Sequence, residues 1–224
     1  MDADLKKYIV KTGTTTIGIV CKDGIVVAAD KQGSYGTSDS QGVSYIIGKD
    51  QEKIQEVTPN IIVTTAGTAS DTRKNIRLVR AELKIKELRS RKKATVKEVA
   101  NLFANISYQS IRQPSMIPSI AHFVLAGYDE LGVHLYDISP DGFLNLGDKY
   151  VASGSGTTHV NPILDSDYKK EMTIEQGIAL AKKCLLASFG RDPASGEGMD
   201  IYVVKKDSIK QVVKDKAVLE FKAQ

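Results

Sequence analysis

Two apolar, strand-sized runs, residues 14–21 and 25–29, lie on either side of Lys22-Asp23-Gly24. Asp-Gly between such runs is a strong signal for a tight hairpin. In the first run Thr15, Ile17, Ile19 and Cys21 point one way, and Thr16, Gly18 and Val20 the other. The second run is apolar throughout and ends at Asp30. A hairpin with small or apolar residues on both faces needs cover on both sides. A layered domain is the fold that provides it.

The other elements come in blocks. Residues 31–48 are rich in Gly, Ser, Gln and Tyr and read as a long loop with an irregular hairpin around 43–47. Residues 61–66 form a β-branched strand ending at Gly67. Residues 71–90 then place Ile76, Val79 and Leu83 on one helical stripe, with Leu78, Ala81, Ile85 and Leu88 beside it. Thr95 and Glu98 form a capping box opening a second helix, which runs to about Gln113 and is stopped by Pro114 and Pro118. Residues 120–127 and 132–138 make another hairpin, and 150–153 a short strand leading into Gly154-Ser155-Gly156. Thr173 and Gln176 cap a further helix carrying Ile174, Ile178, Ala181 and Leu185, and residues 201–205 and 209–213 form a last hairpin. Strands and helices that do not alternate predict an α+β domain with mostly antiparallel sheets. With 224 residues, no repeat and no linker, a single domain is expected.

Composition removes several classes. Hydrophobic residues at 42% and charged residues at 26% exclude a disordered chain. No apolar run approaches the roughly 20 residues of a membrane span. A net charge of +4 is too weak to imply a nucleic-acid partner for the whole chain. The basic stretch 73–93 has no interleaved aromatic residues for base stacking, so it reads as a solvated helix face or a subunit contact. Cys21 and Cys184 are isolated, as buried thiols in a reducing compartment are. No signal-peptide core opens the chain, so a cytoplasmic location is expected. His122, His134 and His159 form no zinc motif, and no GxSxG elbow is present.

The chemistry concentrates at Gly13-Thr14-Thr15-Thr16, a threonine run entering a strand behind a short polar leader. Threonine runs usually reflect β-propensity alone. Cleavage at Gly13–Thr14 would give Thr14 a hydroxyl nucleophile and a free amine on one residue. An α-amine has a pKa of about 8, against about 10.4 for lysine, so it can serve as a general base near neutral pH. Gly13, without a Cβ, lets the scissile carbonyl approach closely.

TTTIGIVCKDGIVVAAD, residues 14–30, resembles the start of a mature proteasome β subunit. The resemblance continues through Glu52-Lys53-Ile54, Thr65-Ala66-Gly67-Thr68-Ala69-Ser70-Asp71, Ser153-Gly154-Ser155-Gly156 and Gly190-Arg191-Asp192-Pro193-Ala194-Ser195-Gly196. Five motifs in order over most of the chain are specific as a set, and the archaeal members look closest. The resemblance implies a four-layer αββα N-terminal-nucleophile hydrolase sandwich over residues 14–224, with 1–13 a propeptide removed on maturation. It implies Thr14 as nucleophile, Lys53 beside its hydroxyl, Asp30 holding Lys53, and the Gly67 N–H as oxyanion donor. Ser155, Asp192 and Ser195 would support the Thr14 amine. A pocket for the residue before the cut would be lined by Gly33, Gln51, Gln55, Thr65, Ala69 and Arg73, with Ser34 pairing to the substrate backbone.

The stretch between Asp30 and Lys53 is longer than the family's, leaving Lys49 and Lys31 as rivals to Lys53. Lys31, next to Asp30, should face the opposite side of the strand. The implied activity is threonine-type endopeptidase hydrolysis of unfolded polypeptide, without metal or organic cofactor. The implied setting is a seven-membered ring with other β subunits, stacked between α-subunit rings in a four-ring barrel fed by a regulatory ATPase. No nucleic-acid or membrane partner is expected. The alternatives are a β subunit that assembles without cutting and a nucleic-acid-binding domain using residues 73–93.

Overall fold

The computed structural model describes residues 10–11, 13–37, 44–115 and 117–217. Strands β1 (Val10–Lys11), β2 (Thr16–Cys21), β3 (Gly24–Asp30), β4 (Gly33–Thr37), β5 (Ser44–Gly48), β6 (Ile54–Thr58) and β7 (Ile61–Gly67) come first. Helices α1 (Ala69–Ser90) and α2 (Val96–Arg112) follow. Next come β8 (Ala121–Asp129), β9 (Gly132–Ile138), β10 (Leu144–Leu146) and β11 (Tyr150–Ser153). Helices α3 (Thr157–Asp167) and α4 (Ile174–Phe189) and strands β12 (Gly198–Lys205) and β13 (Ser208–Lys216) complete the chain.

Two five-stranded antiparallel sheets result, in the orders β10-β9-β8-β7-β6 and β11-β2-β3-β12-β13. They pack face to face, with α1 and α2 on the outside of the first and α3 and α4 on the outside of the second. Four layers need three apolar seams, and the core divides accordingly. Ile76, Val79, Val99 and Phe103 pack on Phe123 and Leu125 under α1 and α2. Val27, Ile62, Val124 and Leu135 fill the space between the sheets. Ile17, Ile19, Val26 and Ala28 meet Leu164, Ala181 and Leu185 under α3 and α4. β3 is buried at every position because alternate residues serve different seams. The αββα sandwich expected from the sequence is therefore present.

Both predicted capping boxes form: Thr95 with Glu98 at α2, and Thr173 with Gln176 at α4. Each contributes about 1 kcal/mol to its helix. The predicted stripe of α1 is buried at Ile76, Val79 and Leu83, while Leu78, Ile85 and Leu88 remain exposed. Among the described residues no helix is long and apolar enough to cross a membrane.

The long loop expected over residues 31–48 is corrected in part: the hairpin strand expected around 43–47 is present as β5, but most of the described remainder is strand β4. β4 and β5 pair as an antiparallel hairpin, and β1 pairs with the other edge of β4 through Val10↔Thr37 and Lys11↔Gly36. Gly, Ser and Tyr hide this strand from any hydrophobic alternation, and its partner β1 lies in the leader. Residues 38–43, within the expected loop, fall outside the described residues, as do 1–9 and 12. β6 and β10 also lacked a clear sequence signal; β10 has only three residues.

Candidate active site

Antiparallel register gathers the predicted residues at one end of the two sheets. Thr16 pairs with Ala29 and with Ser153, and Asp30 pairs with Met199. The entrance to β2, the exit of β3, the exit of β11 and the entrance to β12 therefore lie side by side. Thr14, Asp30, the turn carrying Ser155 and the turn carrying Asp192 and Ser195 converge there. From the facing sheet, Lys53 arrives just before β6, held by the Thr65 N–H donating to its carbonyl at 2.9 Å.

Lys53 Nζ stands 2.7 Å from Asp30 Oδ1 and 2.9 Å from Thr14 Oγ1. It also lies 3.4 Å from the Gly13 carbonyl oxygen. The Thr14 hydroxyl donates to that same carbonyl at 2.5 Å. Thr14, Asp30 and Lys53 are all buried. Burial pulls the Lys53 ammonium below its ordinary value, against the opposing charge of Asp30. Burial likewise lifts the Asp30 carboxyl, against Lys53 and the N–H groups of Thr15 and Gly196. The pair is thus less strongly biased toward its charged form than an exposed Lys–Asp pair. Asp30 is fixed by three backbone donors: Thr15 at 2.9 Å, and Gln32 and Gly196 at 3.1 Å each.

On the other side of Thr14, its backbone nitrogen donates to Ser155 Oγ at 3.1 Å. Ser155 donates to Asp192 Oδ2 at 2.6 Å, and Ser195 donates to the same oxygen at 2.7 Å. The two rival lysines go elsewhere. Lys49 is exposed and lies 3.6 Å from Glu197. Lys31 is fully buried on the far side, as the strand alternation predicts, 2.7 Å from Asp50 and 3.4 Å from Asp200.

A cavity of about 380 Å³ opens at Thr14. Gly33, Gln51, Gln55, Thr65, Ala69 and Arg73 all line it, as do Ser34 and Gly67. Gly67 has φ 104°, and a Cβ there would come within 2.4 Å of the Ile120 carbonyl oxygen, so the turn into α1 requires glycine. Ser34 Oγ is tied inward, donating to the Ala194 carbonyl at 3.2 Å. Arg73 sits on an exposed turn of α1 and also borders an open cleft with Arg77, Arg80 and Glu52. Glu52, present in the Glu52-Lys53-Ile54 motif but assigned no role from the sequence, lines the cavity too.

Sequence reasoning also missed Ser188, which is fully buried and bonded to Thr15 Oγ1 at 2.6 Å. The available signal was a polar residue on the Ala181–Cys184 face of an apolar helix. The thiols offer no rival nucleophile: burial pushes Cys21 up to about 11 and Cys184 up to about 12. A buried hydroxyl held between an ammonium and a neighbouring amide carbonyl can attack an acyl carbon once its proton is removed.

Comparison with known proteins identifies the family. A family model described as proteasome subunit matches residues 10–204. The chain is 37% identical to proteasome subunit beta 2 of Thermofilum pendens, over 86% of this chain and 88% of that protein. It is 33% identical to proteasome subunit beta of Archaeoglobus profundus, over 91% and 89% of the two chains. Proteasome subunit beta 2 of Pyrococcus abyssi is also 33% identical, over 89% and 90%.

Proposed function

The chain belongs to the proteasome subunit family, with β subunits as its relatives, and from that premise we propose that it is a catalytic β subunit, a threonine-type endopeptidase acting on unfolded polypeptide. The observation that carries this reading is the position of Lys53 Nζ, between Asp30 Oδ1 at 2.7 Å and Thr14 Oγ1 at 2.9 Å. A cation there stabilises the developing alkoxide and favours loss of the hydroxyl proton.

Processing comes first. Thr14 Oγ attacks the Gly13 carbonyl carbon, the Gly13–Thr14 C–N bond breaks as the hydroxyl proton passes to the departing Thr14 nitrogen, and an ester to Thr14 forms. Water hydrolyses the ester, releasing residues 1–13 with a carboxylate on Gly13 and leaving Thr14 with a free amine. In each later turnover that amine takes the proton from Thr14 Oγ and delivers it to the leaving nitrogen of the substrate, and water then hydrolyses the ester left on Thr14 to release the acid and restore the hydroxyl. Ser155 suits this role, because its own proton is committed to Asp192 and it therefore accepts from the amine. The amine's lone pair is left for the nucleophile. The Gly67 N–H, beside the cavity, is the proposed oxyanion donor, an element worth about 3–4 kcal/mol elsewhere. A substrate strand lying where β1 lies would pair along β4, with Ser34 at its edge.

The proposed partners are an α-subunit ring, neighbouring β subunits and an ATPase acting through the α ring. The exposed apolar strip Leu78, Ile85 and Leu88 on α1 supports a subunit contact there. The test is the intact mass of the chain co-expressed with α subunits: the proposal requires a mature chain beginning at Thr14. An assembled barrel retaining residues 1–13 would instead identify a subunit that does not cut.

Cleavage preference follows from Arg73. A guanidinium on the cavity rim disfavours lysine or arginine before the cut and can pair with aspartate or glutamate. Its exposure and the nearby Glu52 hold the effect to a modest size. A fluorogenic peptide panel should show slow cleavage after basic residues, rising by about three- to ten-fold in Arg73→Gln. Efficient cleavage after arginine by the wild type would refute this.

A further inference from the structure

Thr15, the residue after the proposed nucleophile, joins the two carboxylate systems of the site. Its N–H donates to Asp30 Oδ1 at 2.9 Å, and its carbonyl accepts from the Asp30 N–H at 3.1 Å. Its hydroxyl lies 2.8 Å from Ser195 Oγ and 2.6 Å from Ser188 Oγ. Each hydroxyl has one proton to give, and an ionised carboxylate has none. Asp192 Oδ2 therefore receives the Ser195 proton at 2.7 Å. Ser195, with its proton committed, accepts from Thr15. Thr15, committed in turn, accepts from Ser188. Counting protons back from the carboxylate thus gives the chain one direction, Ser188→Thr15→Ser195→Asp192. A second branch reaches the same carboxylate oxygen from the Thr14 nitrogen through Ser155.

The surroundings are shaped for this chain. Thr15 and Ser188 are fully buried, and Ser195 nearly so. The Ser188 carbonyl accepts from the Asp192 N–H at 2.7 Å, so one residue fixes both ends of the chain. A Cβ on Gly156 would stand 1.8 Å from Thr15 Oγ1 and 2.4 Å from Ser188 Oγ. Glycine at that position is what leaves the hydroxyl pair its space.

We propose that Ser188 is a positioning residue for the Thr14 site, anchoring a one-way chain of hydroxyl donors that locks Thr15 and directs Ser195 onto Asp192. Donors in series polarise one another, so the last bond, at the carboxylate, is strengthened by the first. Ser188 touches no reacting atom. It acts by holding Thr15, and through it the backbone of the nucleophile, in one rotamer. The inference rests on the Thr14 reading above.

The test is a double-mutant cycle in the assembled particle, with Ser188→Ala, Thr15→Val and the pair, measuring kcat, KM and melting temperature. Loss of one buried hydrogen bond corresponds to about a five-fold change, and Ser188→Ala should lower kcat by that much with KM unchanged. In the Thr15→Val background the same substitution should change kcat by less than about two-fold, because its partner is gone. Ser188→Cys, which keeps a weak donor of similar size, should fall between wild type and Ser188→Ala, and it serves if the alanine variant fails to fold. Gly156→Ala should cost more than either. An equal loss from Ser188→Ala in both backgrounds, or a kcat that merely follows the melting temperature, would overturn the proposal. An active wild type, a dead Thr14→Ala and an unaffected Ser188→Ala would overturn this inference alone. An inactive wild type in an intact barrel would overturn the Thr14 reading and this inference with it.

Discussion

Thr14→Ala is expected to abolish peptide hydrolysis, by a factor on the order of 10⁴ or more, and to leave residues 1–13 attached. Both effects come from one atom. Thr14 Oγ1 lies 2.5 Å from the Gly13 carbonyl oxygen, in contact with the group it is proposed to attack. Removing the oxygen would remove the proposed nucleophile for processing and for every later turnover. It also prevents release of the amine that serves as base. Thr14→Ser keeps the oxygen and should still process, with slower turnover, since the lost methyl helps fix the rotamer. Intact mass and a peptide assay on the co-assembled variants separate the cases. A Thr14→Ala chain that still began at residue 14 would show that the leader is removed by another agent and that self-processing is wrong.

Legibility in the sequence followed the strength of local signals. The β2–β3 hairpin was readable because Asp23-Gly24 turns it and its apolar faces fill two different seams. The α2 and α4 starts were readable because a capping box is a sequence pattern with one geometric meaning. β4 was not readable: Gly33, Ser34 and Gly36 carry no alternation, and the strand is made by partners on both sides. Within the site, Thr14, Asp30 and Lys53 came from motifs joined by resemblance, since residues so distant in sequence meet only through sheet register. Ser188 lay outside every motif. Only the packing of α4 against the start of β2 gives its hydroxyl a partner. Lys31 illustrates the converse. Strand alternation sends it away from Asp30, yet nothing in the sequence shows that Asp50 and Asp200 meet it there.

Lys53→Ala should reduce turnover by about 10³-fold or more while the domain still folds, and Lys49→Ala should leave activity within about two-fold of wild type. Position accounts for the contrast. Lys53 Nζ is 2.9 Å from the Thr14 hydroxyl in a buried site, where a charge acts strongly on a developing alkoxide. Lys49 is exposed and faces Glu197. The loss in Lys53→Ala has a second source, because Asp30 is left as a buried carboxylate without its cation. Its three backbone N–H donors limit that penalty, so folding survives while catalysis does not. The sign of the pH dependence follows from the same burial. Lys53 must be charged to act, and burial sets its pKa below the ordinary 10.5. As pH rises, activity should therefore fall on an alkaline limb lying below that value. Asp30→Asn removes the charge that sustains the ammonium, so the limb should move further down as the rate drops. A limb unmoved by Asp30→Asn, or an active Lys53→Ala beside an inactive Lys49→Ala, would show that the pair does not act on Thr14.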